Sequence, residues 1–243
     1  MLLSAERRLQ TSRRALIGAA GALLLAQTAR AAKSHAEGAE RPTPDAALAM
    51  LMAGNVRFVA GLSKHPDLGL DRRREVAAGQ RPFATILACA DSRVAPELLF
   101  DQGLGDLFVV RVAGNVVDDA VLGSIEYSVI HLGAPLVMVL GHQRCGAVTA
   151  ALDAAAGKAS TEDAETRIGS LAALIEPAVK AVPEGTADRL DAVILENARL
   201  AADRLLKESA PLRERVAAKR LRIVSARYSL DDGDVGQVLD AEG

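Results

Sequence analysis

Residues 83–101 read FATILACADSRVAPELLFD. Phe83–Ala88 is a short apolar run without polar alternation, the pattern of a strand covered on both faces. Cys89 closes it, and Cys89-Ala90-Asp91-Ser92-Arg93 forms a polar turn before a helix-like stretch, Pro96–Asp101. Outward from here, Leu107–Val112, Leu136–Leu140 and Leu221–Ala226 share the strand texture. Helical stretches separate them. Asp119–Leu132 sets Val121, Leu122, Ile125, Val129 and Leu132 on one face, and Gly146–Ala156 follows the third strand. Ile168–Val182, Leu190–Lys207 and Leu212–Lys219 also read as helical, interrupted by Pro177, Pro183 and Pro211. Residues 157–167 read as a polar loop, and Asp231-Asp232-Gly233 as a turn. Strand and helix in alternation imply parallel strands joined by right-handed crossovers. The expected fold is α/β: a mostly parallel central sheet of four parallel strands plus an edge strand, flanked by helices.

An N-terminal helical arm precedes the sheet. Thr43-Pro44-Asp45 is a helix start, with Pro tolerated in the first turn. Leu48, Met52, Val56 and Val59 recur at helical spacing and are expected to form its buried face. Residues 61–70 are a loop and Asp71–Ala78 a second, polar helix. Residues 43–243 thus form a single domain, and residues 32–42, small and charged, a flexible leader. Residues 1–31 read as an address. Arg13-Arg14, the apolar stretch Ala15–Ala26 and Ala29-Arg30-Ala31 follow the order of a signal peptide. Ser12 before paired arginines resembles a twin-arginine export signal, so the mature chain is expected to be periplasmic or secreted. The apolar stretch is too short to span a bilayer comfortably, and no stable membrane span is expected after cleavage.

The composition narrows the function. The 243 residues carry 29 Lys and Arg against 31 Asp and Glu. Loss of residues 1–31 removes five arginines and one acid, leaving the rest more acidic still. Such a chain has no general attraction to phosphate backbones. Four Phe, two Tyr and no Trp leave little to stack on bases. Nucleic acid is not an expected partner.

Both cysteines of the chain stand at the carboxyl ends of expected strands: Cys89 after ATILA, and Cys145 within Gly141-His142-Gln143-Arg144-Cys145-Gly146. In an open parallel sheet, ligands gather beyond those ends, at a switch point. Cys89, Asp91, His142 and Cys145 therefore come within reach of one another. Two thiolates and an imidazole suit Zn²⁺, and three protein ligands leave the open fourth position of a catalytic site. Asp91 either fills that position, closing the site, or pairs with Arg93 and leaves it to water. A Cys89–Cys145 disulfide is the rival reading in an oxidising compartment.

The sequence resembles the β-class carbonic anhydrases from about Asn55 through Val235. The resemblance rests on N-V-R-F-V (55–59), G-Q-R-P (79–82), C-A-D-S-R-V-A-P-E (89–97) and G-D-L-F-V-V-R-V-A-G-N (105–115). It continues through S-I-E-Y-S-V (124–129), G-H-Q-R-C-G-A-V (141–148) and Y-S-L-D-D-G-D-V (228–235). It implies one zinc ion per subunit, held by Cys89, His142 and Cys145. It implies an Asp91–Arg93 dyad in which Arg93 draws Asp91 off the metal and Asp91 accepts a hydrogen bond from zinc-bound water. It also implies that Gln80 contacts substrate and that Phe108 and Tyr127 line a carbon dioxide pocket, partly across a dimer interface. The implied reaction is reversible hydration of carbon dioxide to bicarbonate and a proton by zinc-bound hydroxide, in a homodimer or homotetramer.

Val112 stands where the family often has Asn, and Ala90 where Ser is frequent; neither is a proposed ligand. An inhibitory bicarbonate site of some members involves a Trp, which this chain lacks. Two other functions fit the same residues: a related zinc hydrolase acting on carbonyl sulfide or carbon disulfide, and a non-catalytic zinc or redox module using Cys89 and Cys145.

Overall fold

A computed structural model of the chain describes residues 40–242. The expected signal peptide and residues 32–39 of the leader lie outside the described residues. The sequence from Pro42 onward forms one unit. Its first helix, α1 (Pro44–Val59), starts as expected: Thr43 caps it, its hydroxyl accepting from the amide of Ala46 at 3.2 Å. The buried face differs from the expected one. Val56 and Val59 are exposed, while Ala47, Leu51, Gly54 and Asn55 are buried. Small size and hydrogen bonding choose this face. A Cβ on Gly54 would lie 1.7 Å from the Phe100 carbonyl oxygen. Asn55 donates to the carbonyls of Leu99 and Gly233 and accepts from the amide of Val235.

The short helix α2 (Leu70–Val76) leads to β1 (Ala84–Ala88), then α3 (Pro96–Leu99) and β2 (Leu107–Arg111). A 3₁₀ turn (Ala113–Asn115) and α4 (Asp119–Tyr127) follow. The expected single helix over 119–132 changes character at Ser128, where a π-type turn (Ser128–Leu132) begins. There the Ser128 and Thr85 hydroxyls share a buried 2.5 Å hydrogen bond.

β3 (Leu136–His142) precedes α5 (Gly146–Ala155). The expected polar loop contains a one-turn helix, α6 (Thr161–Glu165), before α7 (Ile168–Ala181). Pro177 sits inside α7 without ending it. Burial of Ala172, Ile175, Ala178 and Val179 offsets the hydrogen bond that a proline forfeits. The chain closes with α8 (Arg189–Glu208), α9 (Ala210–Ala217), β4 (Arg222–Tyr228) and β5 (Val235–Asp240).

The strands run in the order β2-β1-β3-β4-β5; the first four are parallel, and β5 returns antiparallel on β4. The fold class is therefore as expected, with β5 as the edge strand. β1 and β3 are buried throughout; β2 is only partly covered because it forms the other edge. One face of the sheet packs Ile86, Met138, Leu140 and Val224 against Leu51 of α1 and Phe100. The other packs Leu87, Val137, Val139 and Ile223 against α4, α8 and α9. From β1 the chain moves outward to β2, then returns to β3 on the other side of β1. The carboxyl ends of β1 and β3 therefore flank the switch point.

Candidate metal centre

Cys89 leaves β1 and His142 ends β3 on the two sides of that switch point. Cys145, three residues later, stands immediately before the first turn of α5. The ligand atoms of Cys89, His142 and Cys145 all lie within 4.8 Å of one another, and the three residues are buried. Both cysteines are free thiols, so the disulfide alternative is not what the fold adopts.

The orientation of His142 follows from its neighbour. Nδ1 lies 2.9 Å from the carbonyl oxygen of Gln143, which can only accept, so Nδ1 carries the proton. Nε2 is left as a lone-pair donor, buried and without a hydrogen-bond partner. An orphaned buried nitrogen facing two sulfurs is costly in apolar surroundings and suited to a metal. The residues fit zinc.

The two cysteines perturb each other in opposite directions. Cys89 is pulled down to about 4, first by the hydrogen bond with Cys145, against burial, and helped by His142 and the Gly114 amide. The Gly114 amide donates to Cys89 Sγ at 3.2 Å. Cys145 is pushed up, first by that same bond with Cys89 and then by burial. The amides of Val148 and Ala147, at the start of α5, act the other way and favour its thiolate.

Asp91 stands beside the cluster, Oδ2 3.9 Å from His142 Nε2, but outside the ligand set. Arg93 holds it. Nε donates to Oδ1 at 2.9 Å and Nη2 to Oδ2 at 2.7 Å, and the Arg93 amide also donates to Oδ1. The Arg93 side chain, followed by its amide and its charge, keeps the Asp91 carboxyl well below the usual range despite some burial. The turn itself is tied down by Arg111, which donates to the carbonyls of Cys89 and Asp91.

The structure does not bring Gln80, Phe108 and Tyr127 to this cluster within one chain. Gln80 is exposed in the loop leading to the amino end of β1, whereas Cys89 follows its carboxyl end. Phe108 pairs with Thr85, four positions before Cys89, on the open edge strand β2. Tyr127 is 48% exposed, its ring 6.3 Å from that of Phe108 and 5.3 Å from His131.

Sequence reasoning missed several supporting residues. Gly114 and Arg111 lie in a stretch that carried the family resemblance, yet nothing in their spacing showed a bond to Cys89. Gln143 and Arg144 lie in another such stretch, and the sequence assigns them no role of their own. Gln143 Oε1 accepts from the amide of Leu230 and the hydroxyl of Ser229, and Arg144 pairs with Asp231 through both ends of its guanidinium. The 229–231 turn is thus fastened to the metal-site loop.

The relatives of this chain agree with the geometry. Residues 84–235 match the family model described as carbonic anhydrase. "Carbonic anhydrase 2" of Mycobacterium tuberculosis is 47% identical over 193 residues, 78% of this chain and 90% of that protein. A carbonic anhydrase of Mycolicibacterium smegmatis is 43% identical over 195 residues, 79% of this chain and 92% of that one. The fold is similar to the solved β-carbonic anhydrase of Coccomyxa, with a TM-score of 0.60 at 25% identity, over 69% of this chain and 78% of that one. It is also similar to the Aspergillus fumigatus β-carbonic anhydrase CafA, with a TM-score of 0.57 at 27% identity, over 81% and 92%. With the motif residues gathered at one switch point and relatives covering most of its length, the chain belongs to the β-class carbonic anhydrase family.

Proposed function

We propose that the protein catalyses the reversible hydration of carbon dioxide to bicarbonate and a proton, with one zinc ion held by Cys89, His142 and Cys145. The observation that carries this reading is the unpartnered His142 Nε2 facing two sulfurs, with Asp91 beside it and clamped by Arg93. When bound, zinc supplies Lewis acidity that brings the pKa of a water to about 7. Asp91, ionised and acceptor-only, takes the hydrogen bond of the attacking water and turns its lone pair toward the carbon of the substrate. Arg93 engages both Asp91 oxygens and would keep them off a metal held by Cys89, His142 and Cys145. Stopped-flow carbon dioxide hydration, with zinc measured on the same sample, tests the reading. Activity in proportion to zinc is expected, with Asp91→Ala retaining zinc and losing hydration. A zinc-loaded protein that turns over carbonyl sulfide or carbon disulfide but not carbon dioxide would assign the site to those substrates.

A homodimer is part of the proposal. The Phe108–Tyr127 pair and the exposed Ile130 lie along an edge where β2 has no neighbour on one side, and exposed strand edges invite a partner. Phe108 and Tyr127 then serve the partner's carbon dioxide pocket, with Gln80 as a substrate contact. Export by the twin-arginine route is likewise proposed, from Ser12-Arg13-Arg14 and the apolar stretch after them. Among the described residues no helix is long and apolar enough to cross a membrane. Cell fractionation with N-terminal sequencing of the mature chain tests the address: a chain retained in the cytoplasm with residues 1–31 intact would overturn it.

A further inference from the structure

Cys89 accepts a backbone hydrogen bond from a turn that has no ligand of its own. Gly114, in the Ala113–Asn115 turn, points its amide at Cys89 Sγ at 3.2 Å. It does so from a left-handed conformation, φ 71° and ψ 14°, which favours glycine. Space enforces the same choice: a Cβ there would lie 2.8 Å from Ile175 Cδ1 and 3.1 Å from Ala147 Cβ. The carbonyl of Gly114 is fixed by a helix distant in sequence. Asn197, 4% exposed in the middle of α8, donates its Nδ2 to that oxygen at 2.8 Å.

These two hydrogen bonds belong to different peptide units, one on each side of the Gly114 Cα. The coupling between them is therefore geometric. The 114–115 peptide is held from both sides, by Asn197 on the Gly114 carbonyl and by the Asn115 amide, which donates to the Val112 carbonyl at 3.0 Å. The Cys89 bond needs the plane of the 113–114 peptide, and the glycine between them is conformationally permissive. Without Asn197 the turn keeps only the short-range Asn115–Val112 bond on that peptide, and the Gly114 amide gains freedom to rotate off the sulfur.

We propose that Asn197 is a positioning residue of the metal centre: it holds the Gly114 amide on Cys89 and thereby sets how much electron density that sulfur offers the metal. An N–H donor on a thiolate disperses its charge and fixes its direction, which is the part that outer partners play around metal ligands. Asn197 touches neither metal nor substrate. The inference rests on the reading of Cys89, His142 and Cys145 as the metal ligands.

The test is made on the full-length protein, exchanged from zinc into cobalt. Cobalt(II) bound by thiolates shows a sulfur-to-metal charge-transfer band that reports on the electron density at sulfur. Asn197→Leu is expected to shift that band and to weaken zinc binding by about tenfold in a chelator competition. Asn197→Ala serves if leucine prevents folding. Asn55→Leu supplies the control. It removes another buried amide, bonded to Leu99 and Gly233, and is expected to lower the melting temperature while leaving the band in place. An Asn197 variant with the parental band and parental zinc affinity overturns the inference and leaves the metal site standing. An equal band shift in Asn55→Leu also overturns it, because the effect would then be general loosening. Failure of the parent itself to bind either metal takes down both readings.

Discussion

The Arg93 guanidinium meets Asp91 edge-on, one nitrogen to each carboxylate oxygen at 2.9 and 2.7 Å. The pair lies two residues apart in one turn, so no tertiary rearrangement is needed to make it. Removing Arg93 frees a carboxylate whose Oδ2 is already 3.9 Å from a metal ligand. Arg93→Ala is therefore expected to lower carbon dioxide hydration about 10- to 100-fold at neutral pH while zinc content stays complete. Partial recovery on raising the pH is expected, as hydroxide would compete with the freed Asp91 carboxylate for a metal held by Cys89, His142 and Cys145. Stopped-flow rates across pH, with metal analysis, check this; a flat ratio of variant to parent would count against a clamp role. In the parent, Asp91 stays ionised well below the ordinary carboxylate range, so acid loss of activity will not trace to its protonation.

Asp101 offers a pH test of stability away from the site. Burial acts to raise its pKa, but the amides of Lys64 and His65 and the Arg57 guanidinium outweigh it, and the net direction is downward. A depressed folded-state pKa contributes stability above the unfolded value of about 3.9, lost as pH falls through the folded value. Asp101→Asn is expected to cost about 2 kcal/mol at neutral pH. It should also flatten the acid limb of a plot of urea midpoint against pH. Parallel acid limbs for variant and parent would refute the assignment.

Gly54 packs its Cα face on the Phe100 carbonyl with no room for a methyl group. Gly54→Ala is expected to destabilise the fold by about 3 kcal/mol, despite the better helix propensity of alanine. Calorimetry or denaturant unfolding would measure it. A neutral or stabilising result would mean that α1 docks less closely than described.

Tyr127 tests the proposed interface. Placing a charge on the exposed aromatic edge, as Tyr127→Glu, is expected to shift the sedimentation coefficient toward that of a monomer without removing zinc. It should also depress carbon dioxide hydration if the ring serves the partner's pocket. An unchanged sedimentation profile would move the interface elsewhere on the surface.

The strands were legible because burial on both faces removes polar residues from them, and that signature is local. Both cysteines and His142 were legible because a metal site demands particular side chains at strand ends. The buried face of α1 was not. Its apolar spacing favoured Val56 and Val59, but contact with Phe100 and Gly233 selected Gly54 and Asn55, and those partners are distant in sequence. Pro177 is a related case: its local penalty is visible in the sequence, and the burial that offsets it is not.

By itself, then, the order of residues determined the α/β layering and the candidate ligands Cys89, His142 and Cys145, because both depend on side-chain type at the ends of buried strands. That Asp91 pairs with Arg93 and stands outside the ligand set is seen in the structure. Only the tertiary structure decided that His142 presents Nε2, that Gly114 aims at Cys89, and that Asn197 stands behind it. These are matters of direction between segments up to 83 residues apart. Hydrogen bonds depend steeply on distance and angle, and neither is set until the sheet has brought the strand ends together.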